Sequence, residues 1–228
     1  MTKQLAKIVG MVATVVVIVL GGILIRSAPV TKQKTRMLIT MNQNSAGFRY
    51  SIASGPLNVA RKNRALVGLG SYLFNRPDVC NAHNAGPGNN QFLPGRNPFF
   101  GEPKHINPAT YLGGSRNFGP LVAGSANIIS RNLTPDKTGL PLGGDTFEEF
   151  RQIMRTGVDF DHLHPTCPGV PDATCVPAPF NGNLLQVMPW PNFQNMTDND
   201  LRAIYEYLRA IPCIEGPPAP DPLHHDCH

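Results

Sequence analysis

The sequence predicts a mainly α, loop-rich body that is preceded by one N-terminal transmembrane helix. Gly 22 and Pro 23 make up about a fifth of the 228 residues, which argues against a coiled coil or a bundle of long helices. Four segments carry helix signals, and no segment shows the apolar–polar alternation of a half-buried strand. The net charge of +5 comes from scattered basic residues and only 7% of residues are aromatic, so no nucleic-acid partner is expected.

The N-terminal segment predicts a membrane anchor within residues 1–26. The run from Ile8 to Ile25 carries no charge, and as a helix it would extend ~27 Å, enough to cross a hydrocarbon core. A cleaved signal peptide is the alternative, but its apolar part is usually only ~7–15 residues long, and Arg26 interrupts the approach to a small-residue cleavage site. We expect a retained span that contacts membrane lipid, followed by a tether over residues 27–57.

Two helices and a long loop are expected next, within a domain over residues 58–212. Pro56–Phe74 carries apolar residues at helical spacing, and Pro56 suits a helix start. Residues 81–142 are rich in Gly, Pro and Asn, and one short helix is expected there over Asn107–Leu112. Irregular segments of this length usually serve binding, so these loops are expected to wrap around something large.

Two further helices carry capping signals. The stretch Thr146–Glu149 has the pattern of a capping box and opens a helix that ends at Gly157. The Thr197–Asp200 stretch opens another helix over Leu201–Ile211, and Pro212 stops it. The body is therefore expected to be mainly α.

Four of the five cysteines predict two local disulfides. Cys167 and Cys175 bracket a short Pro/Gly turn, and Cys213 and Cys227 bracket a Pro-rich C-terminal tail over residues 213–228. Each closed loop would be stabilised by roughly 3 kcal/mol in the chain-entropy model. Disulfides persist in oxidising compartments, so the body is expected in the periplasm of a bacterial inner-membrane protein, with the N-terminus cytoplasmic. Five reduced, buried thiols are the alternative.

The amount of ordered loop predicts a large cofactor. About three short helices would bury too little apolar surface to order roughly 60 residues of loop, so a large apolar cofactor would act as part of the core. Haem fits this requirement. Cys80 is the odd cysteine, and an odd cysteine in an exported protein points to a covalent partner.

Three stretches resemble the small c-type cytochromes. Met188–Pro212 (MPWPNFQNMTDNDLRAIYEYLRAIP) resembles their closing part, where a Met-Pro loop leads through a Thr-Asp start into a C-terminal helix. Gly70–Phe74 resembles the end of the helix before their haem-attachment site, and Ser130–Asp159 resembles the middle segment of dehydrogenase-associated and related membrane-bound members. The resemblance covers Pro56–Pro212 and implies a cytochrome c-like haem domain with long loops and one haem c.

The resemblance implies haem attachment at Cys80 and an iron ligand at His83. The family motif is Cys-x-x-Cys-His, but here the second cysteine is missing and one residue is deleted, since Val79–Asn84 reads VCNAHN. We therefore expect a single thioether at Cys80, which accounts for the odd cysteine. A degenerate site in a haem-free domain is the alternative.

The resemblance also implies that Met188 is the sixth iron ligand and that Tyr72 and Trp190 bind the cofactor. The prolines on both sides of Trp190 hold a non-helical loop, which suits a ligand and excludes a core helix. A methionine in an apolar run is otherwise an ordinary core residue. Met196 is the runner-up ligand, and the two histidines of the DHLHP motif are assigned to a disulfide-closed surface loop.

These features predict a membrane-anchored c-type cytochrome that relays single electrons and is not an enzyme. No nucleophile–base pair or carboxylate dyad stands out in the sequence, and His/Met ligation raises the reduction potential of haem iron. The expected partner is a redox protein in a membrane complex: a photosynthetic reaction centre, an oxidase or a dehydrogenase. The alternative is a haem-free structural accessory subunit of a membrane assembly, derived from a cytochrome c.

Overall fold

The computed structural model describes residues 57–75, 91–215 and Cys227, apart from the side chain of His162. All of these residues belong to the unit Gln43–His228 of the chain. In this part of the molecule, no helix is long and apolar enough to span a membrane.

Several sequence-based predictions concern residues outside that part. The expected anchor over Ile8–Ile25, nearly all of the tether, and the expected attachment residues Cys80 and His83 lie outside the described residues. The anchor and the haem attachment therefore stay predictions.

Within the described ranges, the regular structure consists of three α-helices and one two-stranded antiparallel sheet. The helices are α1 (Arg64–Phe74), α2 (Phe147–Thr156) and α3 (Asp198–Leu208). The strands are β1 (Asn117–Pro120) and β2 (Asn127–Ile129), which pair with an irregular register. Short 3-10 turns lie at Pro98–Phe100, Phe160–His162 and Trp190–Asn192. Because most of the described chain is loop, the fold agrees with a mainly α cytochrome domain in outline only.

Helix α1 packs directly on α3, and this contact depends on Gly70. A Cβ atom at Gly70 would lie 1.8 Å from the carbonyl oxygen of Ala203 and 2.8 Å from Cβ of Tyr207. Only glycine allows two helix backbones to approach so closely. The rings of Phe74 and Tyr207 lie 5.6 Å apart at the end of the same contact. The helix pair thus forms the centre of a core that extends to α2 and the surrounding loops.

Both predicted helix caps are present. The Thr146 hydroxyl accepts a hydrogen bond from the Glu149 N–H (3.4 Å), and the Glu149 carboxylate accepts one from the Thr146 N–H (2.7 Å). The Glu149 carboxylate also accepts a hydrogen bond from the Thr146 hydroxyl (2.7 Å), and this bond, together with the one from the Thr146 N–H, lowers the pKa of Glu149. Helix α2 ends at Gly157, which adopts the left-handed conformation (φ 73°). At α3 the Thr197 hydroxyl accepts from the Asp200 N–H (3.1 Å).

The helix boundaries differ from the predictions at three places, one of which is the start of α3 at Asp198 rather than at Leu201. Helix α1 begins at Arg64, later than expected, because the side chain of Asn63 accepts hydrogen bonds from the N–H groups of Ala65 (3.1 Å) and Leu66 (3.2 Å) and caps the helix there. Helix α3 ends at Leu208 rather than at Ile211.

The predicted short helix over Asn107–Leu112 is wrong. This stretch forms reverse turns, in which the Thr110 N–H donates to the Asn107 carbonyl (3.3 Å) and the Gly113 N–H donates to the Thr110 carbonyl (3.1 Å). Leu112 has a positive φ of 63°, which a right-handed helix does not allow.

The sheet of β1 and β2 was not expected. Its strands read NFGP and NII, which are too short to show an alternating pattern, and β1 contains both Gly and Pro. Their pairing depends on hydrogen bonds across the intervening loop, which local sequence patterns do not reveal.

Both predicted disulfides are present in the structure. Cys167 and Cys175 are joined with a Cα–Cα distance of 5.0 Å, and Cys213 and Cys227 with a distance of 5.7 Å. Next to the second disulfide, the backbone of Ile214 is held by two buried side chains. Asn132 Nδ2 donates to the Ile214 carbonyl (2.7 Å), and the Ile214 N–H donates to the Thr134 hydroxyl (3.1 Å).

Candidate functional site

Met188 lies between two consecutive γ-turns in the segment Asn181–Phe193, here called the Met188 loop. Its N–H donates to the carbonyl of Gln186 (2.7 Å) around Val187, which has a positive φ of 66°. Its own carbonyl accepts from the Trp190 N–H (2.9 Å) around Pro189, at φ −79° and ψ 47°. The first turn is a classical γ-turn, which is rare, and the second is an inverse γ-turn. The backbone on both sides of Met188 is therefore sharply folded and not helical.

The Met188 loop is held in place by hydrogen bonds on its own backbone. The side-chain amide of Gln186 donates to the carbonyls of Asn181 and Leu184, both at 2.8 Å. The Leu185 N–H donates to the carbonyl of Gly157 at 2.7 Å, which ties the loop to the end of α2. These bonds hold the backbone of the loop although Val187 is 54% exposed and contributes little packing.

Trp190 packs against the end of α2. A Cβ atom at Gly157 would lie 2.4 Å from the indole ring of Trp190, so the ring covers the space that this glycine leaves open. The indole is half-buried, as is the Met188 side chain, which packs against the hydrophobic core. Gly157 thus ends α2 in the left-handed conformation and leaves room for the indole ring of Trp190.

Met196, the runner-up, occupies a different setting. It is also half-buried against the core, but its N–H donates to the Phe193 carbonyl (2.9 Å) in an ordinary turn before the Thr197 cap. The core therefore contacts both methionines, while only Met188 lies between two γ-turns.

The other predicted site residues lie in two further places. Tyr72 is half-buried on α1. His164 is half-buried in the segment before the Cys167–Cys175 disulfide, and its N–H donates to the Gly182 carbonyl (3.2 Å) at the start of the Met188 loop. In the described part of the chain, no three His, Cys, Asp or Glu side chains come together as a metal-binding group.

Hydrogen bonds among three polar side chains join the end of α1 to α3. The hydroxyl groups of Tyr111 and Tyr207 are 2.8 Å apart, and both also contact the side-chain amide of Asn75, at 2.9 and 3.2 Å. Tyr111 and Tyr207 are buried. Asn75 directly follows α1 and precedes Cys80 in the sequence, so this cluster fixes the end of the helix that leads toward the expected attachment residue.

A buried charge cluster joins the two ends of α2. The guanidinium of Arg131 donates to the carboxylate of Asp159 and to the carbonyl of Leu142, and lies 3.5 Å from the carboxylate of Asp145. Asp145 precedes the Thr146 cap, and Asp159 follows Gly157. The side chains of Arg131, Asp145 and Asp159 are only 11%, 5% and 4% exposed.

Burial of Asp145 disfavours the charged form of its carboxyl group. Its Oδ2 is buried and finds no hydrogen-bond partner among the described residues. Burial raises the pKa of Asp145 to about 6; the charge of Arg131 opposes this, whereas the charges of Asp159, Asp161 and Glu149 add to it. The fold therefore favours the neutral form of this carboxyl group.

Sequence reasoning did not identify the roles of Arg131, Asn132, Thr134 or Gly157. The stretch Ser130–Asp159 was linked to the cytochromes without a role for any of its side chains. The local signal is that the polar residues Asn132 and Thr134 flank the apolar Leu133. Both are buried, and a buried polar side chain needs hydrogen-bond partners.

The donor chemistry of the Met188 loop fits haem iron. A thioether is a soft, neutral ligand, and it occurs with histidine as an axial ligand in the c-type cytochromes. The half-buried Met188 provides this group on a folded, non-helical loop, next to the half-buried indole of Trp190.

Several curated proteins are similar to the chain. The cytochrome c subunit of alcohol dehydrogenase (quinone) from Gluconacetobacter polyoxogenes is 29% identical over 173 residues, which cover 76% of this chain and 27% of that protein. The corresponding subunit from Gluconobacter oxydans is 26% identical, over 69% of this chain and 24% of that protein. The gluconate 2-dehydrogenase cytochrome c subunit of Pantoea cypripedii is 27% identical, over 64% of this chain and 23% of that protein.

The chain thus spans 23–27% of the length of these relatives. No protein-family model matches it, and no solved structure matches it significantly. The relatives are named as the cytochrome subunits and not as the catalytic ones, which agrees with a chain that is not itself an enzyme. These three relatives are cytochrome c subunits of dehydrogenases, and the similarity supports a relation of the chain to the cytochrome c family.

Proposed function

We propose that the chain is a membrane-anchored c-type cytochrome with one haem, which passes single electrons within a dehydrogenase complex. The observation that carries this proposal is the presentation of Met188 between two γ-turns on a loop that packs against the core. The similarity to dehydrogenase subunits favours a dehydrogenase over a photosynthetic reaction centre or an oxidase as the partner.

In this proposal, each site residue has a distinct task. Cys80 would hold the haem through a single thioether, and His83 and Met188 would hold its iron. Tyr72 and Trp190 would line the haem. A haem bound in this way supplies reversible one-electron chemistry at iron. The protein excludes water and holds the ligand loop still.

We further propose that the body lies in the periplasm, attached by the apolar run Ile8–Ile25. The two disulfides support an oxidising compartment. An anchor on a tether of about thirty residues would raise the effective concentration of the body near a membrane-bound partner.

The absorption spectrum of the purified chain tests the cofactor. We expect a Soret band and a sharp reduced α band of the c type, with haem that stays on the chain after acid–acetone extraction. Cys80→Ala should release the haem on extraction, because no other free cysteine is available among the five. A chain without a Soret band would support the haem-free accessory subunit instead.

Two matched substitutions test the sixth ligand. Met188→Ala should leave the haem attached but open the iron to cyanide or water, abolish the weak sulfur-to-iron absorption band and lower the reduction potential. Met196→Ala removes a methionine that also contacts the core but should keep the band. If the band survives Met188→Ala, or if the parent protein lacks it because His162 or His164 is the ligand, the assignment of Met188 is wrong.

A further inference from the structure

The loop Phe92–Ile106 presents two adjacent aromatic side chains to solvent. Phe99 is 84% exposed and Phe100 is 77% exposed. They lie in the 3-10 turn Pro98–Phe100, between Gly95 and Gly101, both of which have a positive φ where the chain reverses direction. Two large apolar side chains at this exposure are not explained by the core or by the proposed haem site.

A β-bridge and backbone hydrogen bonds close this loop at its base. Phe92 and Ile106 form an antiparallel bridge, and Ile106 packs against the core. The Leu93 N–H donates to the His105 carbonyl (3.0 Å), and the His105 N–H donates to the Arg96 carbonyl (3.2 Å). The phenylalanines are therefore held on a structured projection.

The tip itself is also ordered. The side chain of Asn97 accepts a hydrogen bond from the Phe99 N–H (3.0 Å), and the Glu102 carboxylate accepts one from the Asn97 N–H (2.7 Å). The rings of Phe92 and Phe99 meet edge to face at 6.2 Å. Because the tip is already ordered, insertion of the two rings into an apolar phase should cost little further conformational entropy.

The charges around the tip indicate which kind of surface it can bind. Arg96 and Lys104 are exposed on the two arms of the loop, whereas the only acidic residue, Glu102, is half-buried and bound to the Asn97 N–H. The exposed charge beside the two phenylalanines is therefore positive. Anionic phospholipid headgroups complement it, and aromatic side chains favour the region just below them.

The size of the tip favours a membrane over a protein partner. At the measured exposures, the two phenylalanines offer roughly 300 Å² of apolar surface. A stable protein–protein interface buries about 800 Å² on each partner. Insertion of a small apolar tip into a bilayer interface needs no matching surface of that extent.

We propose that the loop Phe92–Ile106 is a membrane contact, in which Phe99 and Phe100 enter the interfacial region of an anionic bilayer and Arg96 and Lys104 bind its headgroups. This deepens the proposed attachment of the chain to a membrane and does not depend on the haem. The contact would give the tethered body a preferred orientation on the bilayer.

Photocrosslinking of the full-length chain in vesicles tests this proposal. The photoreactive residue benzoylphenylalanine replaces Phe99, and the chain is reconstituted into vesicles of phosphatidylethanolamine and phosphatidylglycerol. The matched control carries the same residue in place of Val170, an apolar residue that is 89% exposed on the loop closed by Cys167–Cys175. Phospholipid adducts are identified by mass spectrometry of the digested chain.

We expect adducts at position 99 that exceed those at position 170 by about tenfold. The reason is that the loop Phe92–Ile106 combines aromatic and basic side chains, whereas the loop closed by Cys167–Cys175 does not. Replacing Arg96 and Lys104 by glutamine, or using phosphatidylcholine vesicles, should reduce the yield at position 99 several-fold. Equal adducts at positions 99 and 170, a yield that ignores lipid charge, or cross-links from position 99 to protein alone would each overturn the proposal. The haem spectrum of the same samples reports separately on the cytochrome assignment.

Discussion

In the α1–α3 pair the backbone is regular and the facing side chains are buried, whereas in the Met188 loop the side chains are half exposed and the backbone is folded into γ-turns. The helix pair is stabilised by apolar packing around Gly70 and Tyr207. The loop is stabilised by hydrogen bonds such as those from the Gln186 amide to two carbonyls, which hold Val187 in a conformation that a β-branched residue disfavours.

This difference suggests where function resides. Backbone strain of 1–3 kcal/mol persists only where the surroundings maintain it, and such positions cluster at functional sites. The strained position in the loop directly precedes Met188. The packing of the helix pair stabilises the fold. The stability of the fold in turn maintains the strained backbone that positions the Met188 side chain. The two regions should therefore respond differently to small substitutions.

The largest effect is expected where the helix pair is closest. Gly70→Ala would place a methyl group 1.8 Å from the Ala203 carbonyl oxygen, so the helices must separate. We expect a loss of about 3 kcal/mol or more in the free energy of unfolding, measured by urea denaturation. Gly169→Ala, at a position with no neighbouring atom within 4 Å, is the control and should change the stability by less than about 0.5 kcal/mol. Equal stabilities of the two variants would contradict the close helix contact.

The second effect concerns the charge cluster that joins the ends of α2. Because the pKa of Asp145 is raised from 3.8 to about 6 in the folded state, its contribution to stability is complete below pH 4 and is lost as the pH rises through 6. Two pKa units correspond to about 3 kcal/mol.

Asp145→Asn retains the shape of the neutral acid and should remove this loss, so the variant should exceed the parent in stability at pH 8 but not at pH 4. Urea unfolding at both pH values measures it. Asp161→Asn, at an exposed neighbour, should keep most of the parent's pH dependence. A parent protein whose stability rises between pH 4 and pH 8, with Asp145→Asn following the same course, would contradict the assigned direction.

A third substitution tests the junction between helix and loop. Gly157→Ala must accommodate both the left-handed backbone and the indole of Trp190 at 2.4 Å, so we expect a loss of about 2 kcal/mol. Gly139→Ala, whose φ of 77° is similar but which has no neighbour within 4 Å, isolates the backbone cost of about 1 kcal/mol. Trp190, the single tryptophan, should also change its fluorescence in Gly157→Ala only. If Gly139→Ala changed the stability and the fluorescence as much as Gly157→Ala, the role assigned to the indole contact would be wrong.

The smallest effect should appear at the strained loop position. Val187→Gly relieves the positive φ and loses little packing, because Val187 is 54% exposed. Val170→Gly, at an 89% exposed position without a positive φ, only adds chain entropy to the unfolded state. We expect Val187→Gly to be more stable than Val170→Gly by about 1 kcal/mol, measured by thermal unfolding. The reverse order would show that no strain is stored before Met188.

The threonine caps of α2 and α3 and the disulfides were predictable because they depend on residues close together in the chain. Thr146 and Glu149 are three positions apart, as are Thr197 and Asp200, and each pair forms its hydrogen bonds within one helical turn. The methionine, tryptophan and proline pattern of the Met188 loop likewise marked a non-helical segment before its turns were known.

The remaining features depend on residues that only the fold brings together. Arg131 meets Asp159 across 28 positions, and Asn75 meets Tyr207 across 132; no local pattern marks such pairs. The Leu112 carbonyl, at the end of the expected helix, likewise accepts a hydrogen bond from the distant Leu133 N–H (2.9 Å). The sequence by itself determined the threonine caps of α2 and α3, the disulfide-closed loops and the likeness to cytochrome c, because these rest on local chemistry. The tertiary structure decided the Gly70 contact, the raised pKa of Asp145 and the position of the Trp190 indole, because close packing and burial exist only once distant segments meet.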